Sequence, residues 1–253
     1  MKLTITHTLT LTLPSPSRAV QHLLLSAQAT PQQRVEHWSI DMPGLNEGAT
    51  FRDGFGNKAY LVSQTKPGET LVATVSGIVE TTDKAGVVGR LSYDPPPALF
   101  LRPTSLTKPD AELIADVPQG GGRIALMHEL MGRVFERTGA SQSQSDGAQS
   151  QTAGEHHPVA LAHAFIAAAR ALDIPARFVT GYVFDEGTAA LHAWAEAWDD
   201  GLGWIGFDPL LNMCPTDTHV RLACGLDATS TIPIRCVPAP TAETVHEVTI
   251  SGE

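Results

Sequence analysis

Between residues 159 and 209 the chain changes period once, from helical to alternating, and that order restricts the fold more than any other feature. Residues 160–172 are dense in alanine and leucine, which favours helix. The small side chains predict close packing of that helix against a sheet. Pro175 marks its end. Residues 178–184, 191–198 and 204–208 then read as strands of a compact antiparallel meander. Asp199-Asp200-Gly201-Leu202-Gly203 supplies the turn between the last two. The expectation is an α+β core, a helix packed on an antiparallel sheet.

The first half has a different texture. From Leu3 to Leu13 aliphatic residues alternate strictly with polar ones, the period of a half-buried strand, and Pro14 and Pro16 stop it. Extended segments are expected again at 18–27, at His37-Trp38-Ser39-Ile40, at Ala59-Tyr60-Leu61-Val62 and at 71–80, with Asp53-Gly54-Phe55-Gly56-Asn57 as a turn. Short strands with turns between them predict a β-sandwich-like module over residues 1–100, without chemistry of its own. The prolines at 95–97 and at 103 form a stiff connector. Residues 101–253 make the second domain, with helices over 109–117 and 123–136. In the second helix Ile124, Met127, Leu130, Met131 and Val134 recur at core spacing. Residues 138–155, rich in Ser, Gln and Gly, read as a flexible loop just upstream of the alanine-rich helix.

Charge and cysteine use exclude several functions. The net charge of −10 argues against nucleic-acid binding, which favours a basic face. No apolar run reaches bilayer length, so no membrane span is expected. The N-terminus carries no apolar segment of signal-peptide type, so a cytoplasmic location is the expectation. Cys214, Cys224 and Cys236 are odd in number and lack Cys-x-x-Cys spacing. They read as reduced thiols rather than a disulfide framework or a structural zinc site. Nothing calls for a cofactor.

The chemistry sits in the meander. Acyl transfer by a thiol needs a nucleophile, a histidine to carry the proton and a carboxylate to orient the histidine. His192 and Asp208 lie on neighbouring strands joined by a short turn, which would bring imidazole and carboxylate together. A polar pair at a sheet edge would read the same way. The flanking motifs are more specific: Ile174-Pro175-Ala176-Arg177-Phe178-Val179-Thr180-Gly181-Tyr182, His192-Ala193-Trp194-Ala195-Glu196, and Gly203-Trp204-Ile205-Gly206-Phe207-Asp208-Pro209.

These motifs closely resemble the transglutaminase-like superfamily, whose core is papain-like. Residues 1–100 resemble the β-rich region that precedes this core in bacterial members. The resemblance implies catalytic roles for His192 and Asp208, and supporting roles for His163, Trp194 and Trp204. It places the family's nucleophilic cysteine at a helix start, in a stretch such as G-V-C-x-D-x-A-H. Here that register reads His156-His157-Pro158-Val159-Ala160-Leu161-Ala162-His163. Pro158 has no thiol and no backbone N–H, so two catalytic parts would go together. Proline suits a first helical turn, so the fold survives. The resemblance also implies a cysteine-peptidase or amidase ancestry, a peptide or protein partner, and a context of ATP-grasp and alpha-E proteins.

Two functional readings follow. In the preferred one the site is degenerate and the protein is a peptide- or protein-binding pseudoenzyme. In the other, His192 and Asp208 serve an active peptidase or amidase with a displaced nucleophile, such as Cys214, or with a metal held alongside His156 and His157. Loop-end histidines in solvent are the plainer reading of that last pair, and no metal site is expected.

Overall fold

A computed structural model describes residues 1–15, 17–117, 121–142, 157–185 and 188–253. Six strands come first: β1 (Lys2–Thr12), β2 (Arg18–Leu23), β3 (Gln33–Asp41), β4 (Ala49–Arg52), β5 (Lys58–Thr65) and β6 (Thr70–Thr81). β7 (Val87–Gly89) precedes the helices α1 (Ala111–Ile114), α2 (Gly122–Gln142) and α3 (His157–Ala171). Then come β8 (Ala176–Asp185), β9 (Thr188–Asp199), β10 (Gly203–Phe207), β11 (His219–Gly225), β12 (Ile234–Val237) and β13 (Val245–Gly252).

The alternation in β1 does what its period predicts. Leu3, Ile5, Leu9 and Leu11 are buried, and the threonines between them face outward or lie half-covered. β1 pairs with β6 along its whole length. The resulting sheet runs β13-β1-β6-β3, and a second runs β12-β2-β5-β4. Leu9, Leu11 and Val75 of the first meet Leu23, Val62 and Ile234 of the second in one apolar layer. Each such aliphatic side chain contributes about 1.5–3 kcal/mol by leaving water. The sandwich expected from the sequence is present, and it draws on both halves of the chain. β12 pairs with β2 and β13 with β1, so the last two strands belong to the N-terminal sheets. A boundary near residue 100 divides the order of elements without dividing these sheets.

The core sheet is antiparallel, in the order β11-β8-β9-β10-β7. Ala193, Ala195 and Ala197 of β9 form one buried layer with Ala162, Phe165, Ile166 and Ala169 of α3. Alanine on both surfaces lets helix and strand come close, as the sequence led one to expect. Met127, Leu130, Met131 and Val134 of α2 complete the layer, while Ile124, in the first turn, stays exposed. At the other end of the same face Tyr182 and Val220 pack against Leu3, Ile5 and Val79 of the sandwich. There His7 Nδ1 lies 2.9 Å from Tyr182 Oη.

Some expected boundaries move. The strand expected at 18–27 ends at Leu23. Of the helix expected at 109–117 only Ala111–Ile114 forms, capped by the Asp110 carboxylate accepting from Glu112 N–H. α2 continues to Gln142, so the first residues expected in a loop extend a helix instead. Residues 143–155 lie outside the described residues. No described helix is long and apolar enough to cross a membrane.

One glycine is fixed by close approach. Gly77 of β6 lies opposite Trp38 of β3, and a Cβ there would sit 2.2 Å from the Trp38 ring. The ring is held in place by Trp38 Nε1 donating to Leu25 O at 2.8 Å. Gly77→Ala is therefore expected to cost about 1–3 kcal/mol, the scale of overpacking, read as a lower denaturation midpoint in urea.

Candidate functional site

Alternation along β9 separates two kinds of chemistry. Its alanines face α3, so His192, Trp194, Glu196 and Trp198 project from the opposite side of the sheet. Three buried side chains converge there: His192, Asp208 just after β10, and His219 at the start of β11. His192 Nε2 is 2.5 Å from Asp208 Oδ2, and His219 Nε2 is 3.2 Å from the same oxygen. The other oxygen, Oδ1, accepts from Leu210 N–H at 3.0 Å and Leu211 N–H at 3.3 Å. Paired backbone bonds between Asp208 and Met213 close the turn that holds it.

Burial alone would push the Asp208 carboxyl up. The N–H groups of His192 and His219 outweigh it and hold the carboxyl at about 2. An ionised carboxylate only accepts, so both Nε2 atoms facing it donate. In the neutral ring Nδ1 is then a lone pair, and among the described residues nothing hydrogen-bonds to it. Such a nitrogen can take a proton from a neighbouring thiol, hydroxyl or water. The imidazole–carboxylate pair expected from the sequence is therefore assembled in geometry.

His219 was not foreseen. The signal was its place two residues before Arg221, a second polar residue in a strand whose Val220, Leu222 and Ala223 are apolar. That alternation puts both on the His192 side, but a polar face on an isolated strand reads as solvent-facing.

Trp194 and Trp204 part company. The Trp194 ring stacks on His192 with centroids 6.1 Å apart and meets His219 edge-on at 5.5 Å. Trp204 belongs to a different cluster. The Arg177 guanidinium sits 4.0 Å from its ring centroid, with Phe100 and Trp198 packed edge-on around it. Arg177 Nε donates to Glu196 Oε2 at 2.5 Å, and Arg221 Nε donates to Glu196 Oε1 at 2.8 Å. Arg177 also reaches Asp94 Oδ1 at 2.9 Å, tying down the proline-rich connector. Burial would raise Glu196, but the two guanidinium groups hold it ionised. A cavity of about 20 Å³, room for one water, touches both clusters through Trp194, Glu196, His219 and Arg221.

His163, on α3, is far from this chemistry in its contacts. Its Nε2 accepts from Ala228 N–H at 3.0 Å and its ring packs on Phe178. Burial lowers its affinity for a proton. It also lines a cavity of about 550 Å³ between α3, α2 and the 106–110 segment. Pro158 is half-buried in the first turn of α3. His156 and the His157 side chain lie outside the described residues.

The three thiols are elsewhere. Cys214 packs with Phe207 on the α3 side of the sheet, and its Sγ lies 3.6 Å from His128 Nε2. Burial, with help from Asp83, pushes this thiol up rather than activating it. Cys224 and Cys236 are buried free thiols. Burial pushes Cys236 to about 11. Cys214 is thus paired with a histidine other than His192.

A metal ion could draw on His192, Asp208 and His219, whose ligand atoms lie within 4.8 Å of one another. The surroundings of His219 oppose this. A ligating histidine donates its remaining N–H outward, whereas His219 Nδ1 accepts from Thr216 N–H at 3.3 Å.

Two stability predictions follow from the buried charges. Glu196→Gln leaves two guanidinium groups without their shared anion, at an expected cost of roughly 3–5 kcal/mol in denaturant unfolding. The Asp208 carboxyl is depressed from 3.8 to about 2 on folding. Its stabilisation, about 2 kcal/mol, is complete above the unfolded pKa and is lost as pH falls toward 2. Asp208→Asn is expected to be less stable at pH 7 and to show a flatter stability profile between pH 5 and 2.

Comparison with known proteins agrees with this architecture. Residues 129–209 match the transglutaminase-like superfamily, and residues 3–80 match the bacterial transglutaminase-like N-terminal region. A crystal structure of a proposed cysteine protease from Cytophaga hutchinsonii superposes with a TM-score of 0.71. It is 22% identical, over 99% of this chain and 90% of that one. The periplasmic domain of TgpA from Pseudomonas aeruginosa, with ethylmercury bound, aligns at 16% identity over 81% of this chain and 90% of that one. Its TM-score is 0.34. Comparison with curated proteins gave no match. Residues 129–209, which carry most of the meander, thus match the transglutaminase-like superfamily, and residues 3–80, which carry most of the sandwich, match the N-terminal region of its bacterial members.

Proposed function

We propose that this protein is a transglutaminase-like pseudoenzyme, which keeps a buried histidine–carboxylate pair, binds a peptide or protein segment and has lost thiol catalysis. The observation that carries this reading is the mismatch between base and nucleophile. His192 and Asp208 are in hydrogen-bonded register. The first turn of α3 has Pro158, where the resemblance places the family's cysteine. No described thiol contacts His192. Loss of a nucleophile from such a unit costs on the order of 10⁶-fold in rate.

A second reading keeps hydrolysis, with a metal or an activated water at His192, Asp208 and His219. It is favoured by the convergence of their ligand atoms. The N–H that Thr216 directs into His219 weighs against it.

Restoring the nucleophile tests the first reading. A thiol at the first turn of α3 would be favoured as thiolate by the helix dipole, and the proposal adds His192 Nδ1 as its proton acceptor. Pro158→Cys is expected to gain rapid alkylation by iodoacetamide near neutral pH, above the rate of the native thiols, and to lose that gain with His192→Ala. Amide hydrolysis by the unaltered chain, abolished by His192→Ala, would overturn the pseudoenzyme reading. Sensitivity of that activity to a chelator would select the metal route.

A further inference from the structure

We infer that His219 is a positioning residue, which acts through Asp208 to fix the tautomer of His192. The inference rests on His192 and Asp208 being the working pair proposed above. It starts from a backbone donor. Thr216 N–H points at His219 Nδ1, so that nitrogen is an acceptor and the ring proton sits on Nε2. Thr218 Oγ1, 3.1 Å from the same Nδ1, supplies a hydroxyl that can donate in the same sense. His219 Nε2–H then donates to Asp208 Oδ2 at 3.2 Å.

With Oδ1 engaged by Leu210 and Leu211 and Oδ2 by His219, the carboxylate has three fixed donors before His192 is counted. It is wholly buried and cannot turn to find water. The only proton arrangement compatible with an ionised Oδ2 at 2.5 Å is donation from His192 Nε2. The Thr216 amide thus sets the proton of His219, and the carboxylate that His219 holds sets that of His192. Remove His219 and Oδ2 keeps one neighbour. A buried carboxylate with fewer donors takes a proton more readily, and His192 can then accept through Nε2 and carry its proton on Nδ1. His192 would then present a donor at Nδ1 where it now presents a lone pair.

Nitrogen spectra of the histidine rings read this directly. In long-range ¹H–¹⁵N correlation spectra of the intact native chain near pH 7, His192 and His219 are expected as single Nε2–H tautomers. His219→Phe, which keeps a planar ring but has no donor, is expected to lose the single-tautomer signature at His192. His219→Gln, whose amide can donate to Oδ2, is expected to restore it. Far-ultraviolet circular dichroism selects the variants that fold. Should neither variant fold, the native spectra still decide, since an Nδ1–H form of His219 contradicts the proposal. An unchanged His192 tautomer in folded His219→Phe would overturn it, leaving His219 a merely structural role. So would joint perturbation of both rings by Zn²⁺ added to the chelator-treated native chain. The outcome is independent of Pro158→Cys, which can fail to gain reactivity while the tautomer result stands.

Discussion

Glu196 is the charge on which the rest of the core depends. It sits without solvent contact between Arg177 of β8 and Arg221 of β11, on the strand that also carries His192. Three adjacent strands are therefore locked in register by one carboxylate, and Asp94 extends the lock to the connector. Taking these groups out of water is expensive, and the shared carboxylate offsets it through both guanidinium groups, although Arg177 Nη2 and Asp94 Oδ2 have no hydrogen-bond partner among the described residues. The pairing leaves little freedom for the strands to slip. A one-residue slip would turn His192 toward α3 and an alanine toward Asp208. Site geometry is set by this ionic cluster as much as by the site's own contacts.

The two faces of β9 show how one strand carries both duties. Alanines on one side let α3 approach and bury the apolar layer. Long polar and aromatic side chains on the other build the histidine–carboxylate site and the ionic cluster. Trp194 stands between them, covering His192 and His219 with an apolar ring. In such a covered setting hydrogen bonds gain strength and an unpaired group costs more, which is why the protons of the site are directed rather than free.

Much of this was legible in the sequence, for local reasons. The alternation from Leu3 to Leu13, the alanine-rich helix and the meander depend on period alone, and periods survive without knowledge of partners. The His192–Asp208 pair was legible because a short turn joins its strands. What was not legible depends on distant register. Nothing local in residues 245–252 says that they pair with β1. His219 reaches Asp208 across a strand order, β11-β8-β9-β10, that the sequence does not print. Trp204 was grouped with the site because it shares a motif with Asp208. Trp204 lies on the same face as Asp208 but four residues away, opposite Trp198 rather than beside His192, and there Arg177 is its neighbour.

The pairing of the last strands with the first has a consequence for synthesis. A ribosome delivers β1 and β2 early, but their neighbours β13 and β12 emerge only after the whole core. Until then each of these two early strands holds an open edge, and open edges invite pairing with other chains. The sandwich cannot close vectorially, domain after domain. Its completion waits for the core, so the maturation of the two parts is linked in time as well as in space.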